Sequence, residues 1–126
     1  MSKKTFHSDN APAAIGTYSQ AASSGNLVFL SGQIPLVAET MEVVEGDFEA
    51  RVVQVFENLQ AVAKAAGGNL NDAVKITVFM TDLSNFGIVN SVMERYFDKP
   101  YPARAAVGVA ALPKGVDVEA DAVIAI

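Results

Sequence analysis

Between Phe48 and Ala66 the apolar residues Phe48, Val52, Val55, Phe56, Leu59, Val62, Ala63 and Ala66 recur at intervals that line one stripe of an α-helix over about five turns. Asp47 stands where an N-cap accepts an early backbone N–H, and Gly67-Gly68 offers the left-handed residue that closes many helices. The period then shortens to two. In "DAVKITVFM" Val74, Ile76, Val78 and Met80 fall on one side and Lys75, Thr77 and Phe79 on the other, which predicts a strand with one buried face. A second helical stripe follows at Phe86, Val89, Met93, Tyr96 and Phe97, with Asp82 or Ser84 as its cap. "DKPYP" ends it, because two prolines withhold backbone donors. Residues 17 to 23 and 26 to 31 read as strands joined by a tight turn at Gly25-Asn26, where both residues tolerate positive φ, and Gly32 and Pro35 end the second. "VAETMEVVEGD" is polar enough for a loop or a short irregular strand. In 104 to 111, Ala105, Val107 and Val109 oppose Arg104, Ala106, Gly108 and Ala110. In 116 to 126, Val116, Val118, Ala120, Ala122, Ile124 and Ile126 oppose Asp117, Glu119, Asp121 and Val123, with "ALPKG" turning between the two runs.

The order β-β-α-β-α-β-β predicts an α/β (α+β) fold in which two helices cover one face of a mixed β-sheet. A length of 126 residues is usual for one domain, and with no linker or repeat to divide it, residues 1–126 are expected to form one. The opposite sheet face would then lie bare, with Ala, Gly and scattered charges in place of a dense polar coat. A hydrophobic content of 51% and a mean hydropathy of +0.28 leave apolar surface beyond one core, so another copy of the chain is its expected cover.

Charge and rare residues narrow the chemistry. Fourteen acidic against nine basic residues give a net charge of −5, with no Lys/Arg cluster, so capture of a nucleic-acid backbone has little to act through. The absence of cysteine removes disulfides, a thiol nucleophile and thiolate metal sites. His7 is the only histidine, in a polar N-terminal segment, and supplies neither a metal cluster nor a convincing Ser-His-Asp arrangement. No cofactor and no metal are expected. "MSKKTFHSDN" has no apolar run behind its lysines, and no uncharged stretch reaches the ~20 residues of a membrane span, so the chain reads as cytoplasmic without a membrane partner.

Arg104 is the residue that pattern alone explains least, since "YPARAAVGV" sets one permanent cation among small apolar residues. A planar guanidinium fork suits bidentate capture of a small carboxylate, and Ala106 and Gly108 leave room for one; a surface ion pair with Asp117 or Asp121 on an adjacent strand is the competing reading. Glu119, between Asp117 and Asp121, is either part of a solvated strand face or, if partly buried at a subunit boundary, a carboxylate able to hold or deprotonate a water. Tyr18 packs or aims its hydroxyl into a cleft. Asn90 faces away from the stripe of the second helix, and solvation is the reading its position favours.

"APAAIGTYSQA", "LSGQIP", "VKITVFMTDLSNFGIVN" and "YPARAAVGVAALPKGVDVE" resemble, in order and over nearly the whole chain from about Asn10, the successive signatures of the Rid (YjgF) family of enamine/imine deaminases. The resemblance implies a chorismate-mutase-like fold assembled as a homotrimer, with ligand clefts between subunits. It also implies that Arg104 binds the carboxylate of a 2-imino acid and that Glu119 positions the hydrolytic water. Tyr18, Ser31, Gly32, Asn90 and the backbone at Ala106 would line the pocket. The implied reaction converts 2-aminoacrylate or 2-aminocrotonate, through their imines, to 2-keto acids and ammonia. Two other roles stand beside it: a trimer that binds small carboxylates without turnover, and an RNA-directed ribonuclease or translation inhibitor, which the acidic charge disfavours. Departures from the usual pattern are Thr17 for Pro, Ala106 for Cys, Ala120 for a larger aliphatic residue, and a short 98–102 segment. They bear on substrate preference more than on the fold.

Overall fold

In a computed structural model, which describes residues 3–126, helix α1 spans Phe48–Ala65 and buries Phe48, Val52, Val55, Phe56, Leu59, Val62 and Ala63, as its apolar stripe requires. Asp47 accepts from the Ala50 N–H, and Gly67 at φ +91° closes the other end. There the Gly68 N–H bonds to the Ala63 carbonyl and the Gly67 N–H to that of Lys64, a Schellman closure. Helix α2 is Phe86–Met93 and ends earlier than its stripe predicts. Tyr96 and Phe97 lie beyond it in a turn yet pack as the stripe requires, with ring centroids 5.6 and 6.1 Å from that of Phe56. Asp82 caps the 3₁₀ turn Leu83–Asn85 that leads into α2, rather than the helix itself.

Six strands form one sheet: β1 Lys4–Phe6, β2 Ala21–Ser24, β3 Leu27–Gln33, β4 Ala73–Met80, β5 Ala103–Gly108 and β6 Val118–Ala125, in the spatial order β1-β2-β3-β6-β4-β5. All neighbours are antiparallel except β4 and β5, so the sheet is mixed, with both helices on one face. Strand β1 is an element that the polar N-terminal segment does not advertise. It forms by pairing with β2, where Lys4, Thr5 and Phe6 meet Ser23, Ala22 and Ala21.

Strand β2 starts at Ala21 rather than residue 17, and only Gly25, at φ +60°, takes a left-handed conformation in the two-residue turn to β3. That matches a turn with glycine in its first central position. Strand β3 runs past Gly32 to Gln33 through a bulge, since Leu30 pairs with Ala122 while Gln33 pairs with Ala120. A second irregularity corrects the predicted face of β4. Ala73 pairs with Ile124 and Lys75 with Val123, so Val74 is the extra residue, 46% exposed, while Ile76, Val78 and Met80 are buried. The last two strands are shorter than the alternating runs that predict them, and Ile126 is exposed rather than in the core. Asp117 and Asp121 do not flank Arg104, because β4 lies between β5 and β6. Asp117 instead accepts from Arg51 Nε and Nη2, each at 2.9 Å.

Candidate functional site

Arg104 stands on β5 directly opposite Ile76, a core residue of β4, so its side chain leaves the sheet on the helix face. It is exposed, yet held in place. Its guanidinium carbon sits 4.7 Å from the centroid of Phe86, and Nη1 donates to Asn90 Oδ1 at 2.8 Å and approaches Met93 Sδ at 3.8 Å. Phe86, Asn90 and Met93 lie on α2, so the apolar stripe that anchors this helix also seats the cation. Asn90 is therefore not merely solvated: it orients Arg104. Among the described residues, the hydrogen bonds of Arg104 run through Nη1, which leaves Nε–H and Nη2–H for a ligand. Met93, Glu94, Phe97, Tyr101 and Pro102 complete a cavity of about 290 Å³ in front of it.

Glu119 belongs to a different concavity. It pairs with Phe79, three residues along β4 from Ile76, and so projects from the sheet face opposite to Arg104. Its carboxylate lies over Gly32: a Cβ there would overlap Glu119 Oε2 and stand 3.1 Å from Cδ. Glycine is required at this point by close approach, not by backbone conformation, and the β3 bulge is what brings it under the carboxylate. Burial first, and then the negative charge of Asp121, hold the Glu119 carboxyl above its ordinary pKa. Burial also raises Asp121, against the opposing pull of Lys75. Tyr18, Ser31 and Gly32 line the same concavity as Glu119. Ser31 Oγ donates to the Ser19 carbonyl at 2.6 Å and its N–H to the Gln20 carbonyl at 2.9 Å, which ties the Tyr18 segment to the bulge. Tyr18 is 51% exposed.

The residues picked from sequence thus fall into two groups within one protomer. Tyr18, Ser31, Gly32 and Glu119 meet on one side; Asn90 and Arg104 meet on the other, with Ala106 exposed two residues further along edge strand β5. Met93, Tyr101 and Pro102 beside Arg104, and Ile15, Ile34 and Met41 beside Glu119, carry no sequence signal that separates them from ordinary packing or loop residues. His7 is exposed, with Nε2 2.8 Å from Asp9 Oδ1, and lines neither concavity. No group of three metal-ligating side chains occurs among the described residues, and no helix among them is long and apolar enough to cross a membrane.

A family model described as Endoribonuclease L-PSP matches residues 8–126. The chain belongs to the Rid (YjgF) family. The crystal structure of the Rid protein RidA from an Antarctic Psychrobacter superimposes with a TM-score of 0.93 at 54% identity, covering 98% of this chain and 99% of that one. Protein DfrA of Myxococcus xanthus is 52% identical over 98% of this chain and 95% of its own length. A protein of Escherichia coli named 2-iminobutanoate/2-iminopropanoate deaminase is 44% identical over 95% of each chain. Some Rid relatives of this chain are thus named as imine deaminases, while others carry different names.

Proposed function

We propose that the protein is a cofactor-free deaminase that hydrolyses 2-imino acids to 2-keto acids and ammonia, working as a homotrimer whose clefts each combine Arg104 of one copy with Glu119 of another. The observation that carries this reading is the prepared guanidinium, braced by Asn90 and Phe86 with donors left over, on the opposite sheet face from a half-buried carboxylate. Arg104 and Glu119 leave opposite faces of their own sheet and line different concavities, so a cleft that uses both draws one of them from a second copy over the bare face.

The chemistry needs little more. A protonated imine carbon is already electrophilic, so the protein must hold it and deliver water. Arg104 grips the carboxylate through its fork, each charge-assisted bond contributing about 1.5 to 3 kcal/mol. Ionised Glu119 takes a proton from the water as the new C–O bond forms at the imine carbon. Glu119 passes that proton to the carbinolamine nitrogen, the C–N bond breaks, and ammonia leaves as the carboxylate takes the remaining hydroxyl proton to give C=O. Tyr18, Ser31, Gly32, Asn90 and the Ala106 backbone line the cleft in this assignment, and Gly32 keeps Glu119 close to the sheet.

A serine dehydratase that generates 2-aminoacrylate, followed by keto acid release with and without the protein, tests the proposal. Acceleration by the wild type and loss of about a hundredfold or more in Arg104→Ala, the value of two charge-assisted bonds, are expected. No acceleration, together with Arg104-dependent binding of 2-ketobutyrate, would make the protein a carboxylate-binding trimer instead. An RNA-directed activity, which the family model's description brings to mind, would require affinity that falls steeply with salt, and a chain of net charge −5 offers little for it.

A further inference from the structure

The concavity beside Glu119 is larger than the smallest imino acids need, about 470 Å³, and its wall is apolar: Pro12, Ala13 and Ile15 on one side, Ile34, Leu36 and Met41 on the other. Each side is staked by a buried amide. Gln20, 2% exposed, accepts from the Ser8 N–H at 2.6 Å and donates to the Pro12 carbonyl at 2.8 Å, which fixes the segment carrying Pro12, Ala13 and Ile15. Asn58, 1% exposed on α1, donates to the Leu36 and Ile34 carbonyls at 3.0 and 3.3 Å. Met41 at φ +59° and Lys114 at φ +57° are the non-glycine residues with left-handed backbone among those described, and both line this concavity. Such conformations persist where surrounding structure enforces them, and they cluster at ligand sites. Ile15, which lines the concavity, is 67% exposed.

We propose that this wall is the side-chain pocket of the site and selects 2-imino acids with apolar side chains of about four heavy atoms over those with one or two. The inference rests on the deaminase reading and names its preferred substrate class. Glu119, with Asp121 beside it, and Lys114 bring charges of both signs to the same concavity, so a second carboxylate gains no uniform attraction there, whereas an alkyl chain meets Ile15 and Met41. Every methylene buried against such a wall raises kcat/KM about fourfold until the pocket is full.

The test uses imino acids released by an L-amino-acid oxidase from alanine, 2-aminobutyrate, norvaline, norleucine and leucine, with semicarbazide as a competing trap and keto acid formation as the readout. Wild type should gain about fourfold per methylene from the alanine to the norleucine product. Ile15→Ala and Met41→Gly, the second compatible with the left-handed backbone at that position, should each lower the norleucine-to-alanine ratio about fourfold or more. Turnover of the alanine product with no rise along the series, or an unchanged ratio in both variants, overturns the pocket assignment and leaves the deaminase reading standing. No acceleration on any of the five removes the deaminase reading and this assignment with it.

Discussion

Replacing Gly32 by alanine perturbs the site by one methyl group, and the structure sets the size of the effect. The φ of Gly32 lies outside the left-handed region, so β3 accepts an alanine backbone; the difficulty is the added Cβ, which would overlap Glu119 Oε2 and stand 3.1 and 3.5 Å from Cδ and Cγ. The neighbour in the way is the end of a flexible side chain at a half-buried position, so the carboxylate swings aside and most of the clash is relieved. Loss of stability should be about 1 kcal/mol, the low end for overpacking, and a drop in Tm of about 4 °C would register it. The catalytic effect is much larger. The oxygen must retreat by about 1 Å from the position where it holds water, and a displacement of that size costs roughly a hundredfold in rate. Keto acid release at saturating imine, measured beside thermal unfolding, separates the two. A Gly32→Ala protein with the wild-type kcat would refute the claim that Glu119 acts from its place over Gly32.

Further outcomes follow from the same geometry. Ionised Glu119 is the form that accepts a proton, so kcat/KM should fall as pH drops through its raised pKa; Asp121→Asn removes the second cause of that rise and should move the acid limb of the profile to lower pH. The stability consequence runs the other way. Glu119 and Asp121 both have folded pKa values above their unfolded ones, so the folded state binds protons more readily and loses stability as pH rises through that window. Asp121→Asn should reduce this loss, seen as a smaller difference in Tm between pH 4 and pH 7 than in the wild type. Asn58→Leu leaves the buried Leu36 carbonyl without its donor, while the Ile34 carbonyl keeps the Leu36 N–H, and should cost about 1 to 3 kcal/mol in urea unfolding, whereas a change within 0.5 kcal/mol would show that the amide clamp is dispensable.

Periodicity located what one buried face imposes. The stripe from Phe48 to Ala66 and the alternation of Ile76, Val78 and Met80 are visible because each residue in them pays separately for exposure, and the structure buries them as read. What lay outside the pattern depends on partners distant in the chain. The Lys4–Phe6 strand exists through its pairing with β2, and Val74 turns outward because of a bulge against β6 that no local spacing marks. Tyr96 and Phe97 show the converse: the helix ends at Met93, yet their packing on Phe56 survives, since burial constrains side chains more than backbone state. Arg104 and Glu119 stood out in sequence only as odd members of regular runs. That Asn90 braces the arginine, and that Gly32 makes room for the glutamate, required the register of four strands and the seat of α2. The competing ion-pair reading of Arg104 fails for the same reason, because β4 intervenes and Arg51 takes Asp117.

Complementation between two defective proteins examines the composite cleft most directly. Arg104→Ala and Glu119→Gln each remove one half of it, and unfolding and refolding them together at equal amounts gives mixed assemblies. If a cleft draws its arginine from one copy and its glutamate from the next, about one quarter of the clefts in the mixture are intact, and the imine hydrolysis rate should recover to about a quarter of that of the wild type treated alike. Activity that stays at the level of the two parents, while the refolded wild type turns over normally, would contradict a site shared between copies.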